Sequence, residues 1–586
     1  MSILSSYMKT TGFKKLAINV GLLLPVVVLL FFSAQPHSTA DENSQAGDAS
    51  AVITAIINSQ QNSLLAKPDF SKITEQLGNL YKQHNNQLLW LGANRSETNI
   101  QQALTILKNA GADGLSASDY DTEALSVNLQ PARSIPTSAV NELAKFDTAL
   151  SIAMLRFLND LHIGRINPQQ LDYPAPFGDK TKQDIVSLLN DAIDQQSLSG
   201  LPERLQPKFK QYQQLKQVLA NYLQAPKESA FQPLIFDGAL RPGQRHSQMA
   251  DLQQRLIALG ALPENAKATS VTDIYDDELQ QGVKNFQHEI GLKADGVIGK
   301  ETAAKLNESL DQKILQIELS MERLRWLPDD IEGPMIIVNI PAFQLWAFNS
   351  TNDAEILNMR VIVGKALQNQ TPVLFEQMEY LEFMPYWNIP KSIMDKEILP
   401  KLYNDFSYLQ SQNMELVNRS APEDLDALDS FMDDIRRGRV RARQRPGSGN
   451  PLGKVKFIFP NKEDVYLHDT SNHNLFSRSR RDFSHGCVRV ADAEKLAEFV
   501  LSHQPESTWD LPAIQEAMSG SKTRRVTLKK PIPVLFLYAT SFVDQNNQIH
   551  FYNDIYQQDL ALEKALGKLP YIDDNSMLTA KTTKPS

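Results

Sequence analysis

Cys487 is the single cysteine of the 586 residues, in the segment Phe483-Ser484-His485-Gly486-Cys487-Val488-Arg489-Val490. One cysteine closes no intramolecular disulfide. His485 lies two positions before it and His468 nineteen before it. This spacing suits a thiol kept for nucleophilic attack on an acyl carbon. A thiol of ordinary pKa is only a few per cent ionised at neutral pH, so it needs a base, a cation or a helix N-terminus beside it. His468 ends a β run and offers the base. A helix starting at Asp492, a good N-cap residue, would turn its positive end toward the thiol. Gly486 removes a side chain where a substrate carbonyl must approach backbone N–H groups. Two other readings compete. One is a buried structural cysteine. The other is a metal site of His468, His485 and Cys487, for which His-x-Cys is an unusual spacing. No metal and no organic cofactor are expected.

The compartment sharpens the choice. Lys9, Lys14 and Lys15 precede an apolar run from Leu16 to Phe32, and Ser38-Thr39-Ala40 follows. Residues 1–40 read as a secretory signal or a membrane anchor. Either one places the rest of the chain outside the cytoplasm, and membrane contact is expected only through that segment. Exported proteins use cysteines mostly in pairs, so a retained single thiol favours a task. Apolar content of 42% and charge of 22% are those of globular protein. A net charge of −9 argues against nucleic acid as a partner.

The elements that must hold these residues fall into blocks. Residues 50–236 have helical periodicity and read as a helical scaffold. Leu150, Ala153, Met154, Phe157, Leu158 and Leu161 repeat at three and four, and Gly164 is the expected stop. Residues 243–310 read as a compact three-helix unit. Two of its faces are Met249-Leu252-Leu256-Leu259 and Leu279-Val283-Phe286-Ile290. From Ile314 the period changes. Met335–Ile340, Gln344–Phe348, Met359–Gly364, Lys456–Phe459 and Val465–Leu467 read as strands of a mostly β domain over 314–540. Residues 392–450 interrupt it as a polar helical insertion, and 541–586 follow as a C-terminal extension and tail. The insertion carries six arginines from Arg436 to Arg445 and returns through Pro446-Gly447-Ser448-Gly449. We read it as a mobile lid over the cleft. The fold class is therefore multidomain α+β.

Two resemblances follow from these residues. Phe286-Gln287, Gly291-Leu292, Asp295-Gly296-Val297-Ile298-Gly299 and Thr302 resemble the small peptidoglycan-binding module. His468, fifteen intervening residues and Ser484-His485-Gly486-Cys487 resemble the motif of the YkuD-like L,D-transpeptidases. That likeness extends through Arg360–Lys365, Thr371-Pro372, Phe459-Pro460-Asn461 and Tyr466–Thr470. With the helical block and the module, the chain resembles the large Gram-negative subtype of that family. The resemblance implies Cys487 as acylated nucleophile and His468 as general base, oriented by the carbonyl of Asp469. It implies that His485 and Gly486 shape the oxyanion hole. Substrate-binding positions are Ser484, Arg489, Arg481, Tyr466 and Trp387, with Arg478, Arg480 and Tyr386 nearby. Donor and acceptor would be peptidoglycan tetrapeptide stems in the periplasm, joined as 3→3 cross-links, and carbapenems would acylate the thiol. Other cell-wall synthesis enzymes would be partners. An L,D-carboxypeptidase, a lipoprotein-attaching transpeptidase and a non-catalytic wall-binding scaffold are the rival functions.

Overall fold

The computed structural model describes residues 40–568 except 93–96, 135–138, 175, 178–179, 181–182, 225–231, 264, 267–272, 330, 332, 351–356, 406 and 418–427. The apolar run Leu16–Phe32 and the tail from 569 lie outside the described residues. Among the described residues no helix is long and apolar enough to cross a membrane.

The N-terminal block is helical and has its own core. Its longest helix, Val140–Ile163, buries all six residues of the three-and-four repeat. Gly164 ends it, its N–H bonded to the Asp160 carbonyl at 3.0 Å. Glycine is required there twice. Its φ is 86°, and a Cβ would stand 2.6 Å from Trp326 Nε1. The second block packs helices Met249–Ala258, Asp277–Glu289 and Lys300–Leu306 around another core. Buried Gln287 holds the Asp295–Gly299 loop: it accepts from Gly296 N–H at 2.8 Å and donates to the Val297 carbonyl at 2.9 Å.

The third block is β-rich. Its strands are β1 (Met335–Asn339), β2 (Gln344–Phe348), β3 (Leu357–Gly364), β4 (Leu374–Phe383), β5 (Trp387–Asn388), β6 (Met414–Val417), β7 (Arg441–Gln444), β8 (Val455–Ile458), β9 (Leu467–His468), β10 (Asp482–Ser484), β11 (Val488–Val490), β12 (Arg524–Leu537), β13 (Ser541–Val543) and β14 (Ile549–Phe551). The main sheet runs β10-β3-β11-β9-β8-β4-β12-β1-β2. β2 also pairs with β3, so the sheet closes on itself around the largest core. The expected hairpin is β1–β2.

Two boundaries differ from the sequence reading. The insertion starts at Trp387 rather than Ser392, and it is not purely helical. β5, β7 and β6 form a separate three-stranded sheet that covers its core of Leu402, Phe431, Met432 and Ile435. Its return is fastened rather than loose, because buried Asn450 donates to the carbonyls of Pro385 and Arg445 at 3.0 and 3.2 Å. The C-terminal extension is part of the β-rich block's core. Val543, Phe551, Tyr556 and Leu562 bury there, and Tyr212, Leu215 and Leu219 of the scaffold's helix Lys210–Gln224 pack into the same core.

Candidate active site

The thiol sits where the chain crosses the end of β3. β10 runs parallel to β3 on one side, and β11 runs antiparallel to it on the other. His485-Gly486-Cys487 must make that crossing in three residues. Gly486 does so with φ of 116°, a conformation that suits glycine. The crossing is then tied down. Gly486 N–H donates to Ser484 Oγ at 3.2 Å, and buried Thr371 Oγ1 donates to the Gly486 carbonyl at 2.7 Å. Gly364 N–H donates to the same Oγ1 at 2.8 Å, and Tyr556 Oη donates to the Gly364 carbonyl at 2.6 Å. Cys487 is half-buried at the exit of this loop, with Sγ 3.8 Å from the Asp464 carbonyl.

His468 comes from the neighbouring strand. β9 lies beside β11 with His468 opposite Arg489, two residues past the cysteine. The ring is buried, and Nδ1 lies 2.5 Å from the Asp469 carbonyl. Nδ1–H therefore donates to that oxygen, and Nε2 is left as the acceptor. The Asp469 side chain is engaged elsewhere. Its Oδ2 accepts from Lys454 N–H at 2.8 Å, and Oδ1 lies 3.6 Å from His473 Nε2. The peptide carbonyl, not the carboxylate, orients the ring.

Electrostatics fix the resting state. Burial, with the charges of Arg489 and Lys456, pushes His468 down to about 3, against the opposing bond that it donates to the Asp469 carbonyl. Burial pushes the Cys487 thiol up, although hydrogen bonds from Tyr466 and the charge of Lys456 work the other way. Both groups are neutral at pH 7. The expected helix dipole does not reach the thiol. Asp492 does cap a helix, Ala493–Ser502, by accepting from Lys495 N–H at 3.1 Å. But β11 stands between Cys487 and that N-terminus, and the dipole acts only over a helix's first turn.

The other sequence candidates divide. Tyr466 lies against the thiol as a hydrogen-bond partner, and burial holds its phenol above its ordinary value. Ser484 is buried in the loop's own hydrogen bonds. Arg489 is partly buried opposite His468, and among the described residues its Nε has no hydrogen-bond partner. Arg481 is spent on backbone: it donates to the carbonyls of Val361, Phe343, Arg478 and Ser479. It ties β3 to β10 and presents no free fork to a carboxylate. Arg480 forms a two-pronged pair with Asp482 at 2.7 and 2.8 Å. Trp387 packs half-buried on the insertion's core, and Tyr386 lies under Arg443. His485 turns outward, with Nε2 3.4 Å from Glu397 Oε1 of the insertion. Among the described residues no three His, Cys, Asp or Glu side chains gather to hold a metal ion. Sequence reasoning missed Lys456. Only strand register reveals it, because it stands opposite His468 on β8.

Three family models match separate stretches of the chain. Residues 333–527 match the L,D-transpeptidase catalytic domain family, 245–306 the peptidoglycan binding domain family and 75–219 the scaffold domain family. A Haemophilus influenzae protein described as an L,D-transpeptidase is 30% identical over 256 residues, which are 43% of this chain and 49% of that protein. The chain thus spans about half the length of the curated relative it matches. A solved L,D-transpeptidase of Xylanimonas cellulosilytica is 15% identical, covering 52% of this chain and 100% of that one, with a TM-score of 0.16. Another, from Stackebrandtia nassauensis, is 14% identical, covering 51% and 94%, with a TM-score of 0.20. At such TM-scores neither likeness bears on fold or chemistry.

Proposed function

For a chain that carries an L,D-transpeptidase catalytic domain and a peptidoglycan binding domain, we propose an enzyme that forms 3→3 cross-links between peptidoglycan tetrapeptide stems in the periplasm. His468 Nε2 takes the thiol proton as Cys487 Sγ attacks the carbonyl of the donor's diaminopimelate. The C–N bond to D-Ala breaks, His468 returns its proton to the leaving amine, and a thioester forms. The side-chain amine of a second stem then displaces the sulfur. Gly486 and the Cys487 N–H form the oxyanion hole, and Arg489 meets a stem carboxylate by charge-assisted hydrogen bonds.

The observation that supports this reading most is the orientation of His468. Its Nδ1–H is fixed on the Asp469 carbonyl at 2.5 Å, with β9 in register beside the cysteine strand. A wall-binding scaffold has no use for an imidazole held in one tautomer on the strand next to the one that carries the single thiol. The test is incubation with purified disaccharide tetrapeptides, followed by mass spectrometry. A dimer that has lost one D-Ala is expected. Tripeptide alone would mean a carboxypeptidase, and unchanged stems would overturn both readings.

A further inference from the structure

A transverse row of charged side chains crosses the sheet through the base. Glu382 on β4 opposes Lys456 on β8, Lys456 opposes His468 on β9, and His468 opposes Arg489 on β11. Directly opposed residues share a face of the sheet, with β-carbons about 4.5–5.5 Å apart. The imidazole therefore stands between two cations. Lys456 does not trail its ammonium into water as most strand lysines do. Its Nζ lies 3.7 Å from the centroid of the Tyr466 ring. That ring is itself 5.7 Å from the His468 ring, and its hydroxyl reaches the thiol. The ammonium is thus held over the aromatic side chain that touches Sγ.

We propose that Lys456 is a positioning residue of the reaction that acts through its charge, stabilising the Cys487 thiolate and driving the His468 proton onward. The proposal rests on Cys487 and His468 being nucleophile and base. When the S–H bond breaks, its electron pair stays on sulfur, across the Tyr466 ring from the ammonium. The proton moves to Nε2 and makes an imidazolium between Lys456 and Arg489. An imidazolium so placed is a strong acid, and it gives its proton readily to the leaving amine. One cation thus serves both halves of the transfer. The shifts agree in direction: Lys456 is among the causes that lower His468 and that oppose the rise of Cys487. Burial lowers Lys456 itself, while Glu382 and Cys487 work to keep it charged.

The test needs no stem substrate. Alkylation of Cys487 by iodoacetamide is followed from pH 6 to 11 in the full chain, with thermal melting as the check on folding. Lys456→Met should move the alkylation curve to higher pH and lower the rate at pH 8 about three- to tenfold, the loss of one nearby opposite charge. Lys456→Arg should restore the curve. Lys456→Gln serves in the same way if the Met variant does not fold. A Met or Gln curve superimposed on that of the unaltered protein would overturn the proposal. So would an Arg variant as slow as the Met variant, since that would mean a shape requirement. If the unaltered protein alkylates but leaves tetrapeptide stems unchanged, the transpeptidase reading fails while the Lys456 result stands.

Discussion

At the scale of single residues, the proposed pair of Cys487 and His468 is uncharged before substrate arrives. A His468 pushed down to about 3 is already a free base at pH 5. A thiol held up by burial ionises late. Alkylation of Cys487 should therefore keep rising from pH 7 through pH 9. A plateau reached by pH 7 would mean a preformed thiolate–imidazolium pair instead. Cys487→Ala should abolish both transfer and adducts with β-lactams, carbapenems included, because no second thiol exists. Mass spectrometry of the intact variant after drug treatment decides this, and any surviving adduct refutes it. His468→Ala should slow acylation by ~10²–10⁴, the usual worth of a general base. His485→Ala should cost far less, because His485 faces Glu397 and its loop is held by Ser484, Thr371 and Gly486. The reverse order in stopped-flow acylation would exchange their roles. Cys487 and His468 stand out in the sequence because chemistry selects rare residues at fixed spacing. Lys456 does not. It is one lysine in an ordinary strand, and its meaning depends on a partner twelve residues away across the sheet.

At the scale of elements, legibility followed hydrophobic pattern. β1 to β3 and the module's helices carry clean periodicity, and they appear where it predicts. β4 and β12 do not. β4 carries Glu376, Gln377, Glu379 and Glu382, and β12 carries Lys529-Lys530-Pro531. β12 is nevertheless the longest strand, and a register shift between Thr527 and Ile532 accommodates the irregular stretch. The insertion misled in another way. Its arginines look like a polyanion-binding surface, yet many are paired within it. Arg437 and Arg439 meet Asp433 and Asp434, while Arg443 and Arg445 share Glu415. Its route to the chemistry is the π-helical turn Met394–Ile398, whose Glu397 reaches His485. Such turns occur often at functional sites. We therefore keep the lid as a proposal and relocate its working edge. Residues 387–444 replaced by a short Gly/Ser linker should leave the sheet folded, since Asn450 and its bond to Pro385 remain. Water would then reach the thioester, and the ratio of tripeptide to cross-linked dimer should rise. A folded variant with an unchanged product ratio would reduce the insertion to a packing element.

At the scale of the molecule, one helix joins all three blocks. Leu310–Arg325 starts from a capping box between Ser309 and Gln312, directly after the module. Its far end is buried among the other two blocks. Glu322 accepts from Arg165 and Ile166 N–H, Arg325 binds Tyr212 and Glu322, and Arg323 binds Tyr173 and Asp559. Its near end carries Lys313, fully buried, 3.4 Å from Glu289 of the module and 4.3 Å from the centroid of the Phe551 ring. The module is thereby fixed to the catalytic block by a buried ion pair, which predicts how its attachment depends on pH. Burial raises Glu289 above its ordinary value, and Lys313 is the leading opposing cause. Lys313→Met removes that opposition and should raise Glu289 further. Between the unfolded and folded pKa values the folded chain then holds a proton that the unfolded chain does not. Stability must fall as pH climbs through that window. The variant should be nearly intact at pH 4.5. Near neutral pH it should lose up to about 3–5 kcal/mol, the usual cost of leaving one buried partner uncompensated. Denaturant melts of both proteins at pH 4.5 and 7.5 measure the difference. An equal loss at the two values would show that Lys313 works by packing on Phe286 and Phe551, not by its charge.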